Sequence, residues 1–389
     1  MEETKTAANF LIEFDEDQLA VKNTIREFAE EVIKPAVMLY DESQEFPIEI
    51  MKQLGELGFL GILVPEKYGG AGMGYVEYAI VVEELARVDP SIALSVAAHN
   101  GLCTNHILAF ANEELKQKYL PDLASAKKIG AWGLTEPSSG SDAGAMQTTA
   151  VNEGGYYILN GTKNFITHGK SGETAVVMAI TDKSKGKKGI SAFVLEKSFA
   201  GFTSGKKENK LGMRASETTQ LIFDNCKVPA ENLIGYEGEG FSQAMKILEG
   251  GRISIAALSA GLAAGCLEAS VAYSKNRKQF DKPISEFQGI QFKLADMETE
   301  LTAARLLTYK AAKMKDDGKD IALAASMAKL FASEIATKAA NEAVQIFGGY
   351  GFVKDYPVEK FYRDVKLLTI GEGTSEVQKI IIARNQLQD

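Results

Sequence analysis

A glutamate between two glycines near the C-terminus is the side chain of this sequence best suited to acid–base chemistry. Residues 369–378 are Thr-Ile-Gly-Glu-Gly-Thr-Ser-Glu-Val-Gln, in which Gly371 and Gly373 flank Glu372. Because neither neighbour has a side chain, the carboxylate can be approached closely and the backbone can turn sharply. Two interpretations remain open from this pattern alone: a general base, or a glycine-rich turn with a solvated glutamate.

A helix is expected directly after this turn. Val377, Ile380 and Ile381 recur at helical spacing, and Thr374 or Ser375 can cap the helix start. A carboxylate held at such a helix entrance and walled by apolar residues would suit proton abstraction.

A second stretch with chemical potential is the polar segment 132–142, Trp-Gly-Leu-Thr-Glu-Pro-Ser-Ser-Gly-Ser-Asp. A loop of small and hydroxyl-bearing residues can present N–H groups and hydroxyls to a heteroaromatic ring or a phosphate. The same composition is also typical of a polar turn without a ligand. Arg252, in Glu-Gly-Gly-Arg at the start of a long helical segment, is likewise either an ion-pair residue or an anion clamp.

Metal and nucleophilic chemistry have little support in the sequence. The three histidines, His99, His106 and His168, do not occur at ligand spacing with cysteines or carboxylates, and neither HExxH nor GxSxG occurs. We therefore expect no metal site, and we expect a carboxylate to accept the proton if the protein is an enzyme.

The bulk properties are those of a soluble multidomain protein. The chain has 389 residues and a net charge of 43 − 52 = −9, which argues against a nucleic-acid surface. We expect no membrane span and, from three widely spaced cysteines, free thiols in a reducing compartment. The acidic N-terminus, residues 1–5, has no leader pattern, so we expect a cytoplasmic protein, with a processed mitochondrial matrix protein as the alternative.

The elements that must position these residues fall into an α+β arrangement of three domains, 1–128, 129–238 and 239–389. The first is all-α and begins with an amphipathic helix from residue 15 to about 34, capped by Asp15 with Gln18. The second is a β domain, in which residues 156–166 are predicted to form a hairpin with its tight turn at Asn160-Gly161.

The third domain is predicted to be helical. Alanine-rich segments at 241–276, 284–316 and 320–347 are joined by short connections, which is typical of an antiparallel bundle.

Three separated motifs closely resemble the acyl-CoA dehydrogenase family. Residues 345–352, Gln-Ile-Phe-Gly-Gly-Tyr-Gly-Phe, precede residues 356–364, Tyr-Pro-Val-Glu-Lys-Phe-Tyr-Arg-Asp, and then Ile-Gly-Glu-Gly-Thr at 370–374. This order and spacing resemble the C-terminal signature of that family, and the 132–142 segment resembles its flavin signature. The resemblance spans nearly the whole chain and implies an N-terminal all-α domain, a middle β-barrel-like or orthogonal β-sheet domain and a C-terminal four-helix bundle.

The resemblance also implies an FAD site and an acyl-CoA site. Leu134 and Thr135 would face the isoalloxazine, and Phe165 would pack on that ring. Part of the FAD would be bound by a neighbouring subunit, as in a homotetramer. The implied FAD contacts are Trp132, Leu134, Thr135, Gly140, Ser141, Phe165, Ile166, Thr167, Arg277, Phe280, Phe287, Gln288, Gln345, Gly348, Gly349, Thr374 and Glu376; the implied substrate contacts are Ser141, Glu249, Arg252, Gly371 and Gly373.

The resemblance makes Glu372 the base that removes the α-proton of a saturated acyl-CoA. Some relatives carry their base one residue before the arginine, where this chain has Gly251, so the assignment concentrates on Glu372. Many relatives have tyrosine where this chain has Gly371, and the lost ring leaves room for a branched or bulkier acyl group.

The implied reaction is α,β-dehydrogenation to the trans-2-enoyl-CoA, with hydride transfer to FAD N5 and electrons passed to an electron-transferring flavoprotein. Fatty acid β-oxidation and branched amino acid breakdown are both compatible with that chemistry. The alternatives are an oxygen-using acyl-CoA oxidase-like relative and a non-catalytic flavin- or CoA-binding helical scaffold.

Overall fold

The computed structural model describes residues 12–387 and begins with a run of helices. The predicted absence of a leader concerns residues 1–5, which lie outside the described residues. A π-helical turn, Ala98–Thr104, joins the fifth and sixth helices. The helices of this part are α1 (Glu16–Phe28), α2 (Val37–Ser43), α3 (Ile48–Glu56), α4 (Tyr75–Val88), α5 (Pro90–Ala97), α6 (Asn105–Phe110) and α7 (Glu113–Ala124).

The start of α1 follows from its sequence as predicted. The Asp15 side chain accepts from the Gln18 N–H, and the Gln18 side chain accepts from the Asp15 N–H. The apolar stripe of this helix, with Val21, Ile25 and Phe28, is buried. The capping box and the apolar periodicity together confirm the predicted helix.

The middle of the chain forms one mixed sheet. Its strand order is β6-β7-β3-β2-β4-β5-β8, and β1 pairs with β4 in parallel. The strands are β1 (Gly130–Gly133), β2 (Thr149–Asn152), β3 (Tyr156–Thr167), β4 (Thr174–Ile180), β5 (Ile190–Glu196), β6 (Phe202–Ser204), β7 (Thr218–Pro229) and β8 (Leu233–Ile234).

The two faces of this sheet bury different cores. On β4, Val176 and Met178 belong to a cluster shared with residues of the helical domain such as Cys103. The alternate residues Val177 and Ala179 belong to a second cluster built from the middle domain itself. The near-continuous apolar run of β4 follows from burial on both faces, since successive side chains point to opposite sides of a strand.

The hairpin predicted at residues 156–166 is wrong. These residues belong to the single strand β3, which pairs with β7 on both sides of Asn160-Gly161 across a bulge. Gly161 has φ +146°, and a Cβ there would lie 2.5 Å from the Thr148 Oγ1. The glycine therefore serves a close strand approach at a bulge rather than a turn, and partners far along the chain select that conformation.

The C-terminal third is helical around one long buried helix. The three predicted alanine-rich helices are confirmed. Among the described residues, the first of them is long and apolar enough to cross a membrane, but 78% of its most apolar window is buried inside the protein. The elements are α8 (Gly240–Asn276), the short pair β9 (Lys278–Gln279) and β10 (Lys282–Pro283), α9 (Gln288–Asp316), α10 (Ala322–Phe347), α11 (Val358–Asp364) and α12 (Ser375–Gln386).

A buried charge cluster joins all three parts of the chain. The Lys360 ammonium lies 2.8 Å from an Asp89 oxygen and 2.6 Å from an Asp364 oxygen, and the three side chains are at most 1% exposed. Asp364 also accepts the Met213 N–H at 2.6 Å. Asp89 precedes α5, Met213 follows the sheet strand β6, and the other two residues lie on α11, so this cluster fixes the three domains against one another.

Replacing Lys360 with methionine should lower the thermal unfolding midpoint substantially. The change leaves two buried carboxylates without their cation, a defect that typically costs about 3–5 kcal/mol. Lys34→Met is the matched control, because Lys34 is largely exposed and, among residues 12–387, forms an ion pair only with Glu30 one turn away. Equal midpoints for the two variants in a thermal melt would contradict the importance of the buried cluster.

Candidate active site

Glu372 lies on the turn that leads into α12. Its φ of +52° is left-handed, and the φ of Gly373 is +95°. A left-handed conformation costs a non-glycine residue roughly 1–2 kcal/mol, so neighbouring contacts must hold Glu372 in place. The Thr374 Oγ1 accepts the Val377 N–H at 3.3 Å, which confirms Thr374 as the cap of the following helix.

The Glu372 carboxylate occupies the space where residue 251 of α8 would carry a side chain. A Cβ on Gly251 would lie 1.8 Å from the Glu372 Oε2, and its next neighbour would be Leu102. Only glycine therefore fits at position 251 while Glu372 keeps this position. A glutamate at 251 and one at 372 would compete for the same volume.

The Glu372 carboxyl has the environment of a base rather than of a structural ion. Its Oε2 is buried and makes no hydrogen bond to any of the described residues. Burial raises its pKa to about 7, against opposing effects of the cations Lys329 and Arg252. A carboxyl that titrates near neutral pH and lacks a partner is available to accept a proton from a ligand.

The two cations beside Glu372 differ in their surroundings. Arg252 is 8% exposed, its Nε has no partner among the described residues, and burial lowers its pKa. Glu249, one turn earlier on α8, raises it. The Lys329 Nζ donates to the Gly373 carbonyl at 2.8 Å. Lys329 did not stand out in the sequence, because its relation to Glu372 depends on how α10 packs against the turn.

The phenol of Tyr75 lies beside Gly250, the first of the two adjacent glycines of α8. The Tyr75 hydroxyl would lie 2.6 Å from a Cβ on Gly250, and it accepts the Asn105 Nδ2–H at 2.9 Å. The Glu372 carboxylate further raises the pKa of Tyr75, which places the phenol within its field. Gly250 and Gly251 thus give room to a phenol and to a carboxylate at adjacent positions of α8, a pairing that the sequence did not reveal.

The 132–142 segment and the end of β3 come together at the sheet. The Trp132 Nε1–H donates to the His106 Nδ1 at 3.0 Å, and the buried Leu134 follows β1. The Asn164 N–H donates to the Thr135 carbonyl at 2.7 Å, which places Phe165 next to this loop. Gly140 and Ser141 are exposed further along the same loop.

Phe165 presents an open aromatic face at this position. It has φ +56° and is 63% exposed, an unusual state for an aromatic residue in a strand. The next residues, Ile166 and Thr167, pair with Thr219 and Thr218 of β7. An exposed flat ring beside N–H and hydroxyl groups fits a planar heteroaromatic ligand.

A buried ion pair supports this loop. The Lys163 Nζ lies 2.7 Å from the Glu136 Oε1 and 3.2 Å from the Leu134 carbonyl. Glu136 also accepts the N–H groups of Gln147 and Thr148. These two charged residues did not stand out in the sequence, because a pair so distant in the chain leaves no local signal.

A second cluster lies at the far end of α8. A groove of about 560 Å³ is lined by residues that include Arg277, Gly348, Gly349 and Tyr350. The Arg277 guanidinium lies 5.3 Å from the centre of the Tyr350 ring. At ~1.5 Å rise per residue, α8 separates Arg252 from Arg277 by about 37 Å.

The other predicted residues of this end are at the surface. Phe280 is 88% exposed, and its ring centre lies 6.1 Å from that of the half-buried Phe287. Gln288 and Gln345 are exposed. Glu376 is also exposed, but it lies away from this end, in the first turn of α12 next to Glu372. Within one protomer the structure therefore groups the predicted residues into a Glu372 site, a Phe165 site and a distant groove.

Family models match the chain in three consecutive segments. Those described as the N-terminal, middle and C-terminal domains of acyl-CoA dehydrogenase match residues 15–127, 131–226 and 238–387. The chain is 50% identical over 367 residues to a protein of Clostridium acetobutylicum named "Acyl-CoA dehydrogenase, short-chain specific", which covers 94% of this chain and 97% of that protein.

Solved structures match over almost the whole chain. Butyryl-CoA dehydrogenase from Megasphaera elsdenii has a TM-score of 0.95 at 45% identity, over 97% of this chain and 100% of that chain. A chain solved in a study of the electron transferring flavoprotein of Acidaminococcus fermentans has a TM-score of 0.96 at 49% identity, with the same coverage.

Replacing Glu372 with glutamine should stabilise the protein at pH 8 but not at pH 4.5. The folded-state pKa of about 7 lies above the ordinary 4.5, so ionisation of the buried carboxyl costs stability as the pH rises between these values. The difference in thermal midpoint between variant and wild type should therefore grow from pH 4.5 to pH 8.

Glu376→Gln is the control for this pH series. Glu376 is exposed at the helix start and its pKa is lowered, so its removal should destabilise at pH 8, the opposite sign. A pH-independent difference for Glu372→Gln would mean that Glu372 does not titrate in this range.

Proposed function

The chain belongs to the acyl-CoA dehydrogenase family, and on that premise we propose which of its residues carry out the reaction of these FAD-dependent oxidoreductases. The substrate is a saturated acyl-CoA thioester, and the product is the trans-2-enoyl-CoA. The observation that carries the proposal is the buried Glu372 carboxyl, which has no partner among the described residues and a pKa of about 7.

Glu372 acts as the base. Its carboxylate removes a proton from the α-carbon, and the electron pair of that bond becomes the new α,β double bond as a hydride leaves the β-carbon. FAD, when bound, would supply N5 as the acceptor of this hydride. The Glu372 N–H donates to the thioester carbonyl, so that the charge developing on that oxygen is stabilised. No described residue donates a hydrogen bond to Oε2, which supports this role because that oxygen can receive the proton.

The substrate site surrounds the Glu372 turn. Arg252 binds the CoA moiety as an anion clamp, a role supported by the unpartnered Nε of its buried guanidinium. Glu249 orients Arg252 from one turn away, and the glycines on either side of Glu372 admit the thioester. The proposed substrate contacts are Ser141, Glu249, Arg252, Gly371 and Gly373.

The flavin ring lies at the Phe165 face. The exposed Phe165 ring and the adjoining loop after β1 fit a planar heteroaromatic group. The proposed contacts at this end of FAD are Trp132, Leu134, Thr135, Gly140, Ser141, Phe165, Ile166, Thr167, Thr374 and Glu376.

The groove at the far end of α8 serves the site of another protomer. It lies about 37 Å from Arg252 along the helix, too far to complete a site around Glu372 within one chain. A homotetramer would bring the groove of one protomer to the Phe165 face of its neighbour. The proposed contacts of this end with the adenine and pyrophosphate half of FAD are Arg277, Phe280, Phe287, Gln288, Gln345, Gly348 and Gly349.

The electron acceptor is an electron-transferring flavoprotein, and the location is the cytoplasm. The first proposal is supported by the similarity to a chain studied with the electron transferring flavoprotein of Acidaminococcus fermentans. The second is supported by the bacterial relatives. The three-domain division at residues 128 and 238 is kept in this scheme, since these positions lie between α7 and β1 and between β8 and α8.

The acyl chain is short. The relative from Clostridium acetobutylicum is named short-chain specific, and the Megasphaera elsdenii protein is a butyryl-CoA dehydrogenase. Tyr75 closes the space over Gly250, beside the glycine against which Glu372 packs. The nearest atoms to a Cβ on Gly371 would be the Leu367 oxygen and side chain, at 3.5–3.8 Å, which leaves room for a branch near the reacting carbons.

Glu372→Gln should retain FAD and lose turnover by about 10²–10⁴-fold, the usual contribution of a general base. The measurement is anaerobic bleaching of the flavin band after addition of butyryl-CoA, with Glu300→Gln on the surface of α9 as the control. Bleaching at the wild-type rate in Glu372→Gln would refute the assignment of the base.

The same preparation separates the alternative functions. Oxygen consumption with butyryl-CoA would indicate an oxidase-like relative, and a wild-type flavin that binds but is not bleached by any acyl-CoA would indicate a non-catalytic scaffold.

Tyr75→Leu should raise the ratio of kcat/KM for hexanoyl-CoA to kcat/KM for butyryl-CoA by at least about tenfold. The reason is that the smaller side chain opens the space beside Gly250. Tyr75→Phe keeps the ring and should leave the ratio unchanged. Isovaleryl-CoA is measured as a third substrate, because its turnover by the wild-type enzyme tests whether a branched acyl group fits beside Gly371. An unaltered chain-length ratio in Tyr75→Leu would exclude Tyr75 as the limit.

A further inference from the structure

Lys329 is a buried lysine with an unusual partner. It lies on α10 and its side chain is fully buried. Its Nζ donates to the Gly373 carbonyl at 2.8 Å, and no carboxylate of the described residues lies within 4.0 Å of it. In the described part of the chain the other two fully buried lysines, Lys163 and Lys360, each lie within 2.8 Å of an aspartate or glutamate oxygen.

A buried ammonium without an ion pair lowers the stability of the folded protein, so we expect Lys329 to serve a function. Its position next to the Glu372 turn points to that function. The Gly373 carbonyl receives a second hydrogen bond from the buried Gln378 Nε2 at 2.9 Å. Two donors on one carbonyl fix the peptide that follows the left-handed pair Glu372-Gly373, and they thereby fix the carboxylate over Gly251.

Lys329 also supplies positive charge to the carboxylate. Burial raises the pKa of Glu372, and Lys329 is the largest effect in the opposite direction, followed by Arg252. The Glu372 carboxylate in turn contributes to the raised pKa values of the Tyr75 and Tyr78 phenols on α4, after their burial. Without the ammonium, a smaller fraction of Glu372 would be ionised at neutral pH.

The charges around Lys329 itself have mixed signs. Glu372, Glu334 and Glu376 favour its ammonium form, whereas Arg252 opposes it. The Glu334 carboxylate accepts from the Ser375 hydroxyl at 2.6 Å and so helps to hold the same turn. Burial lowers the pKa of Lys329 to about 8, so the ammonium form still predominates at neutral pH.

We propose that Lys329 is a positioning residue for the base: its ammonium holds the Gly373 carbonyl and keeps Glu372 ionised until the α-proton is taken. This inference rests on the proposed role of Glu372 and extends it to a residue on another helix. The ammonium does not touch the substrate; it acts through the turn and through its charge.

Three substitutions separate the two contributions of Lys329. Lys329→Gln keeps a donor for the Gly373 carbonyl but removes the charge. Lys329→Met removes both, and Lys329→Arg retains both. Lys338→Met, on the surface of the same helix, is the control for a lost lysine.

The test is the pH profile of two reactions of the FAD-bound enzyme with butyryl-CoA. The first is the anaerobic rate of flavin bleaching. The second is exchange of the α-hydrogen with D2O by enzyme already reduced with excess substrate, followed by mass spectrometry; it reports proton abstraction without net oxidation.

The midpoint of both profiles should move to higher pH in Lys329→Gln and Lys329→Met. The rates at pH 7 should fall roughly tenfold, which corresponds to one pKa unit. The rate of Lys329→Gln should recover at high pH, whereas that of Lys329→Met should stay low because its turn is also loosened. Lys329→Arg should restore the wild-type midpoint.

An unmoved midpoint in Lys329→Gln would overturn the inference, and a uniform loss of rate would reduce Lys329 to a structural residue. If Lys329→Met does not fold, the comparison of Lys329→Gln with Lys329→Arg still decides the question. Absence of exchange in wild type, or exchange at the wild-type rate in Glu372→Gln, would instead refute the proposed base.

Discussion

The contact between the Glu372 carboxylate and the bare backbone of Gly251 is the constraint on which the site depends. Oε2 lies where a Cβ of residue 251 would be, so a buried helix and a distant turn share one small volume. Any side chain at 251 would expel the carboxylate, and any movement of the turn would leave a gap against α8. The left-handed Glu372 backbone is held in this geometry by the fit, by Lys329 and by Gln378.

That contact also decides the acidity of the carboxyl. A glutamate packed against a helix backbone loses water, and burial alone would leave it protonated well above its ordinary range. Lys329 and Arg252 partly stabilise the ionised form of Glu372, although neither forms an ion pair with its carboxylate. A closer cation would hold the carboxylate as a structural salt bridge and lower its basicity, so cations at longer range suit a residue that must repeatedly accept and release a proton.

Local patterns predicted the elements well and the distant pairings poorly. Residues close in sequence determine the Asp15 capping box, the Thr374 cap and the alanine-rich helices, and the structure confirms all of these predictions. The dipeptide Asn160-Gly161 favours a tight turn locally, but pairing with β7 and the approach of Thr148 select a bulge. Lys329 and Tyr75 could not be found from spacing, because their relation to Glu372 arises only when separate helices pack.

The length of α8 supports the proposal that the FAD site is shared between two chains. This helix, Gly240–Asn276, is buried along much of its length; it carries Gly251 and Arg252 in its first half and leads into Arg277 at its C-terminal end. No rearrangement of side chains can bring Arg252 and Arg277, about 37 Å apart along one helix, to the same end of a ligand. The Phe165 face offers an exposed ring beside polar groups, and the groove at the end of α8 offers Arg277 with Gly348 and Gly349. Oligomerisation would then be a condition of cofactor binding rather than a consequence of it.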